Sequence, residues 1–173
     1  MQLTVHAPVP DEPTVHGPVP DAEADCERVL RTLPAWFGDE PSLVAYAQAA
    51  RRLPTFVAAQ RGGVIGFASL EQHFPHAWEL HCIAVDAASR GQGVGRRLLA
   101  AVERWLLAQG AQLLQVKTLA AAHPSAAYVE TRAFYEALGF VPLEVFPTLW
   151  RAGLPVLQFV KPLAVTGAPE VPT

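Results

Sequence analysis

The chain has 173 residues and only two cysteines, Cys26 and Cys82, far apart in sequence. That pattern argues against a disulfide framework and fits a reducing compartment. There is no excess of positive charge: the net charge is -3 and the pI about 6.0, which excludes a general affinity for nucleic acid. No apolar run approaches the roughly 18–20 residues needed to span a bilayer. The first residues lack the basic-then-apolar pattern of a signal peptide. A soluble, cytoplasmic protein is expected. The histidines and cysteines also lack metal-site spacing: His73, His76, His81 and Cys82 match no familiar structural zinc site. Strand alternation sends His81 and Cys82 to opposite faces, so no metal is expected. Apolar residues, at 51%, are plentiful enough for one substantial core and one domain.

Near the N-terminus, Thr4-Val-His-Ala-Pro-Val-Pro-Asp11 returns as Thr14-Val-His-Gly-Pro-Val-Pro-Asp21. Two copies do not make a solenoid, and the prolines forbid helix and weaken a central strand. The second copy is therefore expected to be an edge strand, the first an extension over residues 1–13, and the domain to span 14–163. The tail 164–173, rich in Pro, Gly and Thr, is expected to be disordered. Asp21 is placed to cap a helix over 22–33, and Pro41 to open a second helix reaching about Arg52. Between them lies the apolar loop Pro34-Ala-Trp-Phe-Gly38. Arg61-Gly-Gly63 predicts a hairpin joining strands 55–59 and 64–72. Residues 73–78 are read as a link to a strand over 79–85. Val94, Leu98, Val102, Trp105 and Leu106 recur at helical spacing, and Gly110 ends that helix. A strand over 113–118, a helix from a Ser125 cap to Leu138, and strands 142–146 and 156–160 complete the order. The sum is a mixed α/β chain, with helices on the faces of a sheet.

The strand Glu79-Leu-His-Cys-Ile-Ala-Val85 runs into Asp-Ala-Ala-Ser-Arg90-Gly-Gln-Gly-Val-Gly95-Arg-Arg97. A glycine-rich turn at a helix N-terminus presents backbone N–H groups to an anion, so this loop reads as a pyrophosphate cradle. A P-loop needs Gly-Lys-[Ser/Thr] after the glycines, where this chain has Arg96-Arg97. A dinucleotide fingerprint needs G-x-G-x-x-G and an acid about 20 residues on, and neither is present. The glycines alone also fit a plain strand-to-helix turn. Arg90-x-x-Gly93-x-Gly95 resembles the acyl-CoA loop of the GNAT superfamily of N-acetyltransferases. Arg132-Ala-Phe-Tyr135-Glu-Ala-Leu-Gly139-Phe140, at the distance expected, is similar to that family's Phe-Tyr-x-x-x-Gly-Phe helix end.

The resemblance implies a mostly antiparallel central sheet with helices on both faces, acetyl-CoA as cofactor, and acetyl transfer to an amine. It implies that Ile83 and Val85 bind the pantetheine arm through their backbone. It also implies that Arg90, Gly91, Gln92, Gly93, Val94, Gly95 and Arg96 form the pyrophosphate loop. Tyr135 matches the family's general acid, which protonates the departing thiolate. Glu79 and His81, two apart on a strand, are the candidate base. Many family members carry an asparagine seven residues before the tyrosine; here that position is Tyr128. Trp36, Phe37, Phe74, His76, Trp78, Phe146 and Trp150 fall on the segments that wall the acceptor site in this family. Their aromatic character suggests a small-molecule amine with an apolar or cationic part. A homodimer is plausible from the family. A non-catalytic acyl-CoA sensor, or an acetyltransferase acting on protein lysines or N-termini, is the alternative. Tyr135 with Glu79 or His81 favours an enzyme, and the inferred direction of Cys82 argues against a covalent acetyl intermediate.

Overall fold

Alternating apolar residues in the middle of the chain build a sheet, and two separate apolar helix stripes cover its two faces. The computed structural model describes residues 12–164. The first repeat copy, nearly all of the extension 1–13, and all but the first residue of the tail 164–173 lie outside the described residues. The elements are β1 (Thr14–Val19), α1 (Glu23–Arg31), α2 (Glu40–Ala49), β2 (Thr55–Gln60), β3 (Gly63–Phe74), β4 (Ala77–Val85), α3 (Val94–Ala108), β5 (Leu113–Leu119), α4 (Ala127–Ala137), β6 (Val141–Phe146) and β7 (Val156–Pro162). The second repeat copy is the edge strand β1. The seven strands run in the order β1-β2-β3-β4-β5-β7-β6, antiparallel throughout except for the parallel pair β4–β5.

The local signals explain most boundaries. Arg61 at φ 50 and Gly62 at φ 81 supply the two left-handed residues of the β2–β3 turn. Asp39 caps α2 by accepting from the Ser42 backbone N–H, and Pro41 sits in the first turn. α3 buries Val94, Leu98, Val102 and Leu106 along one stripe. That stripe packs with Phe56, Ala58, Ala68 and Leu70 on one face of the sheet. Cys26, Val29 and Leu30 of α1 and Leu43 and Ala47 of α2 pack with Val57, Phe67, Cys82 and Ala84 on the other.

Three local expectations are corrected. Asp21 does not cap α1: it takes φ 52 itself, and Ala22 opens the helix without a side-chain cap. Ser125 does not cap α4, whose first flanking residue is Ala126, also without a side-chain cap. Residues 73–78 are not a link, because β3 and β4 stay paired as far as Phe74 and Ala77. None of the helices among the described residues is long and apolar enough to cross a membrane.

Candidate active site

The site begins where two strands part. β4 and β5 pair at only three positions, Ala77 with Leu113, Trp78 with Leu114 and Glu79 with Gln115. Beyond Glu79, β4 continues along β3 while β5 continues along β7. The wedge between them opens into a cleft of about 370 Å³, lined by Leu80 to Val85 on one side and Val116 to Thr118 on the other. Strand edges at such a parting have no neighbouring strand to satisfy their backbone groups, so a ligand can pair with them. The Thr118 hydroxyl is buried at this wall without a hydrogen-bond partner.

A bulge sets the facing of β4. Ser69 pairs with Cys82 and Leu70 with Leu80, leaving His81 as the extra residue. Leu80 faces α3, while His81 packs against Tyr46 of α2, their ring centroids 5.3 Å apart. Cys82 and Ala84 join the core under α1 and α2, whereas Ile83 and Val85 pack on the α3 side. The expectation that alternation sends His81 and Cys82 to opposite faces is thereby overturned: Cys82 lies on the same face as His81, and Ile83 and Val85 lie on the other. One inserted residue shifts the parity of everything after it.

The glycine loop forms the mouth of the cleft. Gly91 and Gly93 take φ 74 and 77, and no atom lies within 4 Å of a Cβ added to either. Backbone conformation alone therefore calls for glycine there. A Cβ on Gly95 would lie 3.1 Å from the Phe134 ring, so this glycine lets α4 approach α3. α3 has no side-chain cap, which leaves its first backbone N–H groups directed at the loop. Arg90, Gly91, Gly93, Val94, Gly95 and Arg96 line the cleft, as do Ile83 and Val85. Gln92 is not among the lining residues; its amide donates to the Ala88 carbonyl. Arg90 is already engaged: it pairs with Glu130 at 3.1 Å and lies 4.2 Å over the Trp36 ring.

Tyr135 is 5% exposed and lines the cleft floor, its ring held by Phe134, Phe140 and Phe159. Burial raises its phenol well above the ordinary value, so it stays protonated at neutral pH. Glu79 sits at the closed end of the wedge, 7% exposed. Its Oε2 accepts from Lys117 Nζ at 2.7 Å and Gln115 Nε2 at 3.0 Å, and lies 2.6 Å from His73 Nε2. Glu79 does not line the cleft, whereas His81 does. Burial lowers the His81 pKa, partly offset by Glu71 and Glu79.

Of the expected acceptor residues, Trp36, Phe37 and Trp150 line the cleft. Phe74, His76 and Trp78 do not. Phe74 projects into solvent at 72% exposure, His76 Nδ1 donates to the Gly110 carbonyl, and Trp78 packs on Trp105 of α3. Phe146 is also outside the lining. The structure adds Tyr46, Lys117, Tyr128 and Thr131. Tyr128 donates to the Trp36 carbonyl at 3.2 Å, and the Trp36 indole donates to Thr131 at 2.9 Å. Tyr128 and Tyr135 are two helical turns apart on one face of α4, a spacing readable in the sequence. Tyr46 carried no comparable signal. Among the described residues no group of three His, Cys, Asp or Glu is gathered to hold a metal ion.

The GNAT acetyltransferase domain model matches residues 51–142. No curated protein matches the chain in sequence. A GNAT-family protein from Desulfovibrio desulfuricans superposes with TM-score 0.77 at 21% identity, covering 88% of this chain and all of that one. The Escherichia coli ribosomal-protein-S18-alanine N-acetyltransferase gives 0.71 at 21%, over 94% of this chain and all of its own. An aminoglycoside 6'-N-acetyltransferase complexed with coenzyme A gives 0.69 at 18%, over 90% of this chain and 99% of its own. These likenesses show a shared fold. With the domain model matching more than half its length, and a parted β4–β5 pair beside a glycine loop, the chain belongs to the GNAT acetyltransferases.

Proposed function

We propose that the protein transfers an acetyl group from acetyl-CoA to a primary amine of a small molecule, by direct attack while both are bound. The observation that carries this reading is the parted β4–β5 pair, with a glycine-lined helix N-terminus at its mouth and a buried tyrosine at its floor. Acetyl-CoA supplies an activated thioester. The backbone N–H groups of the glycine loop and the first turn of α3, from Gly91 to Arg96, with the Arg96 guanidinium, bind the pyrophosphate. The free backbone edge of Ile83 and Val85 holds the pantetheine arm, and the unpartnered Thr118 hydroxyl supplies a further hydrogen bond. His81 takes the proton from the amine nitrogen as that nitrogen bonds to the acetyl carbon. Tyr135 gives its proton to the sulfur as the carbon–sulfur bond breaks.

His81 is preferred to Glu79 as base for a geometric reason. One Glu79 oxygen is already shared by Lys117, Gln115 and His73, which ties up the carboxylate behind the cleft wall. Burial keeps His81 neutral near pH 7, the form that accepts a proton. Trp36, Phe37, Tyr46 and Trp150 give the acceptor side aromatic walls, which favour an amine carrying an apolar group.

The test is CoA release from acetyl-CoA across a panel of aryl- and alkylamines, polyamines, aminoglycosides and a short peptide. Turnover fastest with a small aromatic amine is expected. Turnover only with the peptide would refute the small-molecule acceptor, and CoA binding without turnover on any amine would favour a sensor.

A further inference from the structure

Two carboxylates face each other across the β3–β4 ladder, Glu71 opposite Glu79. Like charges directly opposed on a sheet destabilise it unless each finds a cation or a polar N–H group to face. Glu79 is satisfied by Lys117 and His73. The partner left to Glu71 is His81, whose Nδ1 lies 3.4 Å from Glu71 Oε2. The bulge at residue 81 places the imidazole there, and Tyr46 of α2 packs on its other side. The His81 Nε2 has no protein partner among the described residues, and the side chain lines the cleft.

We infer that Glu71 is a positioning residue: it holds the proton of neutral His81 on Nδ1, so that the lone pair of Nε2 is presented to the acceptor amine. This rests on the reading of His81 as the base. The tautomer of a histidine is set by what faces each ring nitrogen, and a carboxylate charge 3.4 Å from Nδ1 favours the Nδ1–H form over a lone pair there. In the reaction His81 gains the amine proton on Nε2 and becomes an imidazolium. The Glu71 carboxylate then faces a cation it stabilises, and it releases no proton of its own. The other charged or titratable groups facing His81 are Glu79 on β4, Lys117 on β5, Arg52 beyond α2 and Tyr46 on α2. Glu79 favours the imidazolium, whereas Arg52 and Lys117 oppose it.

The experiment is histidine ¹⁵N and ¹³C NMR on the full chain, with His81→Gln to assign the signal, beside a pH–rate profile on the fastest amine of the panel. Expected are an Nδ1–H tautomer in the wild type and loss of that preference in Glu71→Gln. The His81 midpoint should fall by about one pH unit in that variant, because a favourable charge is removed. The acid limb of the rate profile should move to lower pH with it. The plateau of kcat should fall about 10-fold, less than in His81→Gln, with CoA affinity unchanged. An Nε2–H tautomer in the wild type, or a His81 midpoint unmoved in Glu71→Gln, would overturn the inference while leaving His81 as base. Undiminished turnover in His81→Gln would remove the base itself, and the role of Glu71 with it.

Discussion

Replacing Tyr135 with phenylalanine separates chemistry from folding. The ring lies against Phe134, Phe140 and Phe159, with centroids at 5.5, 5.5 and 5.9 Å, and all three contacts survive the change. The hydroxyl takes no protein hydrogen bond among the described residues, so none is lost from the fold. Stability is expected to change by less than about 1 kcal/mol. In the proposed reading the coenzyme is held through the loop and the β4 edge, so CoA affinity should hold within about 3-fold, which is under 1 kcal/mol. A general acid is worth about 100- to 10,000-fold in rate, or roughly 3–5 kcal/mol of barrier. The drop should appear in kcat, followed by thiol release with a chromogenic disulfide, while calorimetry follows CoA binding. Because burial raises this phenol above its ordinary 10.0, the wild-type rate should show no alkaline loss from Tyr135 until beyond that pH. Equal losses of kcat and CoA affinity, or an undiminished kcat in a folded variant, would refute the acid role.

Gly93→Ala, at φ 77, should cost about 1–2 kcal/mol by urea unfolding, because an L residue is strained there. Gly95→Ala should leave stability nearly unchanged: the helix gains about 1 kcal/mol, and displacing Phe134 costs about 0.5–1.5 kcal/mol. The displaced ring narrows the cleft, so calorimetry should show weakened CoA binding in Gly95→Ala. Burial, with Asp25 nearby, raises the Cys26 thiol from 9.0 to about 12. The folded state then holds a proton that the unfolded state has lost, so stability is retained below about pH 9 and falls as pH climbs from 9 towards 12. Cys26→Ala should flatten that decline in thermal melts taken across the range.

Much of this architecture is legible in the residues, because each signal is local. The Arg61-Gly-Gly63 turn, the α3 stripe and the Gly110 terminus each express a backbone or burial preference that the tertiary structure does not oppose. The glycine loop and the Tyr135 helix end are legible for the same reason, as both are continuous in sequence. The orientation of Cys82, Ile83 and Val85 is not, because it depends on a bulge at His81 that forms only against β3. Phe74, His76 and Trp78 are misplaced by the same kind of error. Their segment has loop-like composition, yet it extends the β3–β4 hairpin away from the cleft. Asp21 and Ser125 have the chemistry of caps, but the chain turns so that neither serves as one. Lys117 and Gln115 share a face of β5 by simple alternation; that they meet Glu79 follows only from the three-residue pairing of β4 with β5.

The most direct test is thermal unfolding of the full chain with acetyl-CoA, and separately with NAD and ATP. At ligand about 100-fold above its Kd, binding adds about 2.7 kcal/mol, which raises the midpoint of a domain this size by roughly 5–10 °C. A rise of that order with acetyl-CoA, and none with NAD or ATP, is predicted from the parted strands and the glycine loop. A rise with NAD or ATP but not with acetyl-CoA, or with none of the three, would contradict it.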